Sequence, residues 1–131
     1  MKVRNGFVSN SSSSSFIIAS REELTKESLL KAFNVDKKSP IYDMVEEVAS
    51  IFYDNGEKTT IKKLKDNYGI ENEEDYEGYY GKIVKKIEKS GFDYIYEGSV
   101  GDDNGGLESG ICYMGMDYTG DDLIIWKEDG Y

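Results

Sequence analysis

The run Phe92-Asp93-Tyr94-Ile95-Tyr96-Glu97 decides the class of this fold, because here the helical spacing of apolar residues gives way to strict alternation. Phe92, Tyr94 and Tyr96 fall on one side of an extended chain, and Asp93, Ile95 and Glu97 on the other, which is the period of a strand. The alternation returns over residues 110–118, with Cys112, Met114, Met116 and Tyr118 on one side and Ile111 and Tyr113 on the other. Leu123-Ile124-Ile125-Trp126 is then a short apolar strand, and Thr119-Gly120-Asp121 the hairpin turn before it, with Gly120 free to take positive φ. Three antiparallel strands are therefore expected after residue 92, separated by a polar loop over residues 98–106.

Upstream the period is helical. Ser39 and Pro40 read as N-cap and first helical residue, followed by Ile41, Met44, Val45, Val48, Ile51 and Phe52 on one face and stopped by Asn55-Gly56. Ser20 with Glu23 fits a capping box for an earlier helix carrying Leu24, Leu29, Leu30 and Phe33, with Thr25 as a second cap. Thr59 or Thr60 caps a third helix carrying Ile61, Leu64 and Tyr68. A fourth begins at Asn72, buries Tyr76, Tyr80, Ile83, Val84 and Ile87, and ends at Gly91. Its acids lie early and its lysines late, as the helix dipole favours. Gly78 and Gly81 weaken its middle, which a closely packed neighbour would explain.

Phe16-Ile17-Ile18-Ala19 reads as a buried strand and a candidate fourth member of the sheet. The expected fold is a single α+β domain: a small, mainly antiparallel sheet covered on one face by about four helices. Its parts are a Ser-rich segment over residues 1–15, a helical part over 20–91 and an acidic β part over 92–131.

The chain has 131 residues and no histidine, which excludes histidine-based nucleophilic catalysis and imidazole metal sites. A lone cysteine, Cys112, excludes an internal disulfide framework and CxxC motifs. It reads as a reduced, buried hydrophobe. No apolar run is long enough to span a bilayer, and polar serines stand where a signal peptide would be apolar, so a cytoplasmic location is expected, with no membrane partner.

The formal charge of −10 is unevenly spread. Residues 92–131 hold ten acids against Lys127 alone, a net −9. Direct nucleic-acid binding through this part is disfavoured, since phosphates would meet carboxylates. Tyrosines beside these acids match the composition of protein-binding surfaces. Asp117, Tyr118, Asp121, Asp122, Tyr113 and Glu97 are the expected partner-binding residues, and the partner is a basic protein. This expectation depends on the C-terminal carboxylates pointing outward together from a rigid platform. Asp102, Asp103 and Glu108, on a glycine-rich loop, are the candidate ligands of a hard cation, although the spacing fails the EF-hand pattern. No catalytic residue and no cofactor is assigned: with ten acids in this segment, carboxylate pairs at glycosidase separation arise by accident. The lysines Lys82, Lys85, Lys86 and Lys89 read as a solvated helix face.

The N-terminal block Arg4-Asn5-Gly6-Phe7-Val8-Ser9-Asn10-Ser11-Ser12-Ser13-Ser14-Ser15-Phe16 admits two readings, a flexible linker or an ordered loop held by the apolar residues at both ends. It resembles the RxGFVSNSSSSSF start of many small uncharacterised proteins of low-GC bacteria and their phages. The resemblance covers about 18 residues of the chain and implies a phage or prophage setting, with no activity or functional residue attached. The leading expectation is a non-enzymatic accessory protein that binds a basic partner, such as a host defence or nucleic-acid-handling factor, and inhibits it. One alternative is a structural or virion-associated component that uses the N-terminal block for assembly, so that removing residues 1–15 leaves the domain folded. Another is a divalent-metal enzyme or Ca²⁺ module. Oligomeric state stays open.

Overall fold

The computed structural model describes residues 13–101, 110–111 and 114–128. In chain order the elements are β1 (Ser13–Ser20), α1 (Lys26–Phe33), α2 (Tyr42–Asn55), β2 (Glu57–Thr59), α3 (Ile61–Asn67), a 3-10 turn (Glu73–Glu77), α4 (Tyr79–Ser90), β3 (Tyr94–Gly101), β4 (Met116–Thr119) and β5 (Leu123–Lys127). The strands form one antiparallel sheet in the order β2-β3-β1-β5-β4. The α+β class is as expected, and the strand expected as a candidate fourth member of the sheet is its central one.

β1 is flanked on both sides, so Phe16, Ile17, Ile18 and Ala19 are all fully buried. A strand buried on both faces reads as a continuous apolar run, which is why this segment shows no alternation. Its first three residues come from the serine tract. Ser13, Ser14 and Ser15 pair with Gly101, Val100 and Ser99, and Ser14 and Ser15 are buried. Ser13–Ser15 are therefore part of the central strand and not detachable from it. Removing residues 1–15 would take three residues from the central strand, contrary to the expectation that the domain would stay folded.

The helices divide over both faces, which corrects the one-sided layer. Leu29 of α1 and Ala49 and Phe52 of α2 pack on Phe16, Ile18, Tyr96, Val100 and Ile125. Leu64 of α3 and Ile83, Val84 and Ile87 of α4 pack on Ile17, Ala19, Ile95, Ile124 and Trp126. The physical reason is the central apolar strand: with both of its faces needing cover, a single helical layer would leave one side in water.

Three local differences have identifiable causes. α1 is capped by Thr25 with Ser28, not by Ser20, because Ser20 is spent as the buried last residue of β1. α2 begins at Tyr42 without a side-chain cap, and Ile41 and Met44 are exposed instead of buried. The expected strand over 110–118 is shortened to β4: residues 110–111 are helical, and Met114 N–H donates to the Ile111 carbonyl in a turn. Ile111 nevertheless reaches the α1/α2-side core. Cys112 and Tyr113 lie outside the described residues.

The fourth helix is interrupted where Asn72 caps the 3-10 turn, and α4 proper starts after Gly78. Gly81 is required there, since a Cβ would lie 2.2 Å from the Asp75 carbonyl oxygen. Gly120 is not in the left-handed region; the Tyr118 ring folds against it, leaving 2.4 Å between a Cβ and the hydroxyl. No helix among the described residues is long and apolar enough to cross a membrane.

Candidate functional site

Two groupings of polar side chains stand out, one inside the molecule and one at its surface. The inner one follows from register. Ile17 opposes Trp126 and Phe16 opposes Lys127, so the chain one residue past β5 brings Glu128 opposite Ser15, whose carbonyl accepts its N–H at 3.0 Å. The Glu128 side chain turns back into the sheet end and is buried. Its Oε2 accepts from the Ser15 N–H at 2.7 Å and its Oε1 from the Tyr80 hydroxyl at 2.6 Å.

The Tyr80 ring stacks on Tyr68 with centroids 4.7 Å apart and meets the edge of Trp126 at 5.7 Å. The Tyr68 hydroxyl reaches both Glu97 and Ser15. Burial, and then the Glu97 charge, hold it far above the ordinary phenol value. Glu97 also accepts from the Asn67 amide at 2.8 Å. A buried carboxylate needs such donors, and here they tie β1, β5, α3 and α4 together. Glu128 had no distinguishing mark among the acids of the last segment.

The surface grouping lies where the end of β1 and the start of α1 meet the β4–β5 turn. Arg21 follows β1 directly, and its N–H donates to the Asp122 carbonyl at 3.0 Å. Its guanidinium donates to Asp122 Oδ1 and to the Asp121 carbonyl, each at 2.9 Å, and lies 5.1 Å from the centroid of the Phe92 ring. These residues bound a groove of about 610 Å³ whose charged lining is Arg21, Glu22, Glu23, Lys31, Asp121 and Asp122, with Tyr118 at its side. Glu23 is spent on Lys58 at 2.7 Å and Asp122 on Arg21, which leaves the Glu22 and Asp121 carboxylates without an ionic partner among the described residues.

Of the expected partner-binding residues, the structure brings Tyr118, Asp121 and Asp122 together at this groove. It does not bring Asp117 and Glu97 to them. Asp117 opposes Trp126 and Glu97 opposes Ile17, so both belong to the α3/α4 face, with two strands between them. Asp117 lies 3.5 Å from Lys86 Nζ. Tyr118 opposes Ile125 and belongs to the other face. The common outward platform of carboxylates is thus absent among the described residues: the acids are shared between a groove, a buried knot and an ion pair with α4. Tyr113 lies outside the described residues, as do the candidate metal ligands Asp102, Asp103 and Glu108. Among the described residues no three acids or cysteines gather as a metal site.

No protein-family model, curated protein or solved structure matches this chain.

Proposed function

We propose that this chain is a non-enzymatic accessory protein, of the phage or prophage setting its N-terminal block suggests, and that it acts in the cytoplasm by binding a basic protein. A host defence or nucleic-acid-handling factor is the kind of partner meant, and blockade is the mechanism. With the common carboxylate platform absent, the reading rests on a smaller observation, the meeting of Tyr118, Asp121, Asp122 and Glu22 around one groove. An amphipathic ring beside unneutralised carboxylates suits a lysine- or arginine-bearing segment, with the ring supplying contact area and the acids steering the approach.

A lysine- and arginine-rich peptide serves as the probe, titrated calorimetrically into the full chain. Affinity is expected to fall as salt rises, because the charges are exposed and screened within about 10 Å at 0.1 M. Neutralising Glu22→Gln with Asp121→Asn is expected to weaken binding roughly tenfold. An affinity unmoved by both salt and this variant removes the groove as the binding seat.

A further inference from the structure

Dividing the helices over two faces also divides the charge. α3 and α4 together carry seven lysines against Asp66 and Glu88, a net +5, which the four acids of the 3-10 turn between them offset at one end only. α1 and α2 carry Lys26 and Lys31 against five acids, a net −3, and all of the excess is on α2. Lys82, Lys85, Lys86 and Lys89 recur along α4 opposite its buried stripe and border a shallow groove of about 570 Å³. Asp43, Glu47 and Asp54 recur along the exposed side of α2. Lys86 meets Asp117 at 3.5 Å, but most of each set is not neutralised at home. Lys82 and Lys89 have no ionic partner among the described residues, nor do Asp43, Glu46, Glu47 and Asp54.

We propose that the lysine face of α4 and the acidic face of α2 are the two halves of a head-to-tail interface between copies of this chain. The halves lie on opposite sides of one sheet, so no copy can close them on itself. Because the halves differ, each contact leaves one of each kind free, and the assembly grows as a stack or closes as a ring. Exposed apolar surface borders the acidic stripe: Met44 and Tyr53 of α2 flank it on either side and are about half exposed, at 47 and 46 %. Lysine stems supply the matching apolar cover while their ammonium groups reach the carboxylates.

A polyphosphate is the poorer occupant of the lysine face. The 3-10 turn before α4 sets Glu73, Glu74, Asp75 and Glu77 beside the lysines, and the whole chain at −10 repels a polyanion. The same net charge acts against self-association at a distance. At physiological salt, however, it is screened beyond about 8 Å, which leaves local complementarity to decide. Exposed ion pairs are individually weak, so the contact is concentration-dependent. The inference does not use the groove of the proposed function, and either can fail alone.

Sedimentation velocity of the full chain over a wide concentration range tests it. The weight-average mass is expected to rise with concentration at roughly 0.1 M salt and to return to the monomer value near 1 M, where screening shortens to about 3 Å. Lys82→Gln with Lys89→Gln, and separately Asp43→Asn with Glu47→Gln, are each expected to weaken association roughly tenfold. All four residues are exposed, so folding is retained. Mixing the two variants restores one intact contact per pair, giving dimers that do not grow. A wild-type chain that stays monomeric throughout overturns the proposal, as does association that survives in both variants. A monomeric chain that binds duplex DNA through Lys82 and Lys89 assigns the face to a polyanion instead.

Discussion

The two faces of the sheet solve the same burial problem by different means. Toward α1 and α2 the core is mainly apolar: the Phe16 ring meets the Phe52 ring edge-on at 4.9 Å, with Ile18, Leu29, Val100 and Ile125 around them. Its polar insertions among the described residues are few: the Tyr96 hydroxyl accepts the Leu24 N–H at 2.9 Å, and the buried Lys127 donates to the Met114 and Glu128 carbonyls at 2.7 and 3.0 Å. Toward α3 and α4 the apolar residues end in a knot in which Tyr68, Tyr80, Glu97, Glu128 and Ser15 satisfy one another. The first face rests mainly on volume filled; the second rests on a larger directional network, which specifies where Ser15 must lie. Hydrophobic packing tolerates exchange of similar shapes, whereas a buried carboxylate tolerates no loss of its donors.

The comparison breaks first under truncation. Phe52→Ala is expected to cost about 4 kcal/mol in urea unfolding, since it empties the apolar face at a fully buried position. Gly98→Val attacks the same face through the backbone: a Cβ there lies 2.3 Å from the Asn55 carbonyl oxygen and 2.6 Å from Phe16 Cζ. α2 must lift, at an expected cost of about 3 kcal/mol. On the polar face, Glu128→Leu keeps the bulk but removes the acceptor of the Ser15 N–H and of the Tyr80 hydroxyl, for a loss of about 3 kcal/mol. Tyr80→Phe deletes one of those bonds and is expected to lose about 1.5 kcal/mol. If Glu128→Leu proved neutral, the two faces would not differ in kind.

A pH titration sharpens the same contrast. The Tyr68 phenol is raised in the folded chain, chiefly by burial, so above its ordinary value near 10 the unfolded chain releases a proton that the folded one keeps. Stability therefore falls as pH rises past that point, and Tyr68→Phe is expected to flatten this alkaline limb. The smallest effect is at the acid end. Asp75 is lowered by accepting the N–H groups of Glu71 and Asn72. Its contribution is present above 3.8 and lost as pH falls below it, so Asp75→Asn is expected to remove a small part of the acid-limb slope.

Much of the local structure was legible. Thr60 caps α3 and Gly91 ends α4 in the left-handed conformation, each as its residue type favours. β5 was readable as a continuous apolar run, buried on both sides, and β3 by its alternation. The three-residue β2 was missed, since Glu57-Lys58-Thr59 has no apolar signature and exists by pairing with β3. The serine tract was ambiguous for a related reason: Ser14 and Ser15 are buried by their neighbours on both sides, not by their own hydrophobicity. At the candidate groove, Tyr118, Asp121 and Asp122 were identified, while Glu22 and Arg21 were not, because a separation of about a hundred residues joins them only through the sheet.

The sequence by itself determined most of the helices, the apolar strands, the class of the fold, and the chemistry that is impossible without histidine or a second cysteine. These follow from local periodicity and from composition, which need no knowledge of neighbours. Tertiary structure alone decided that β1 is central, that the helices split, and that the acids part into groove, knot and ion pair. Each of these depends on strand order. A strand's register places its side chains on one of two faces, and only the pairing of distant strands says what else shares that face.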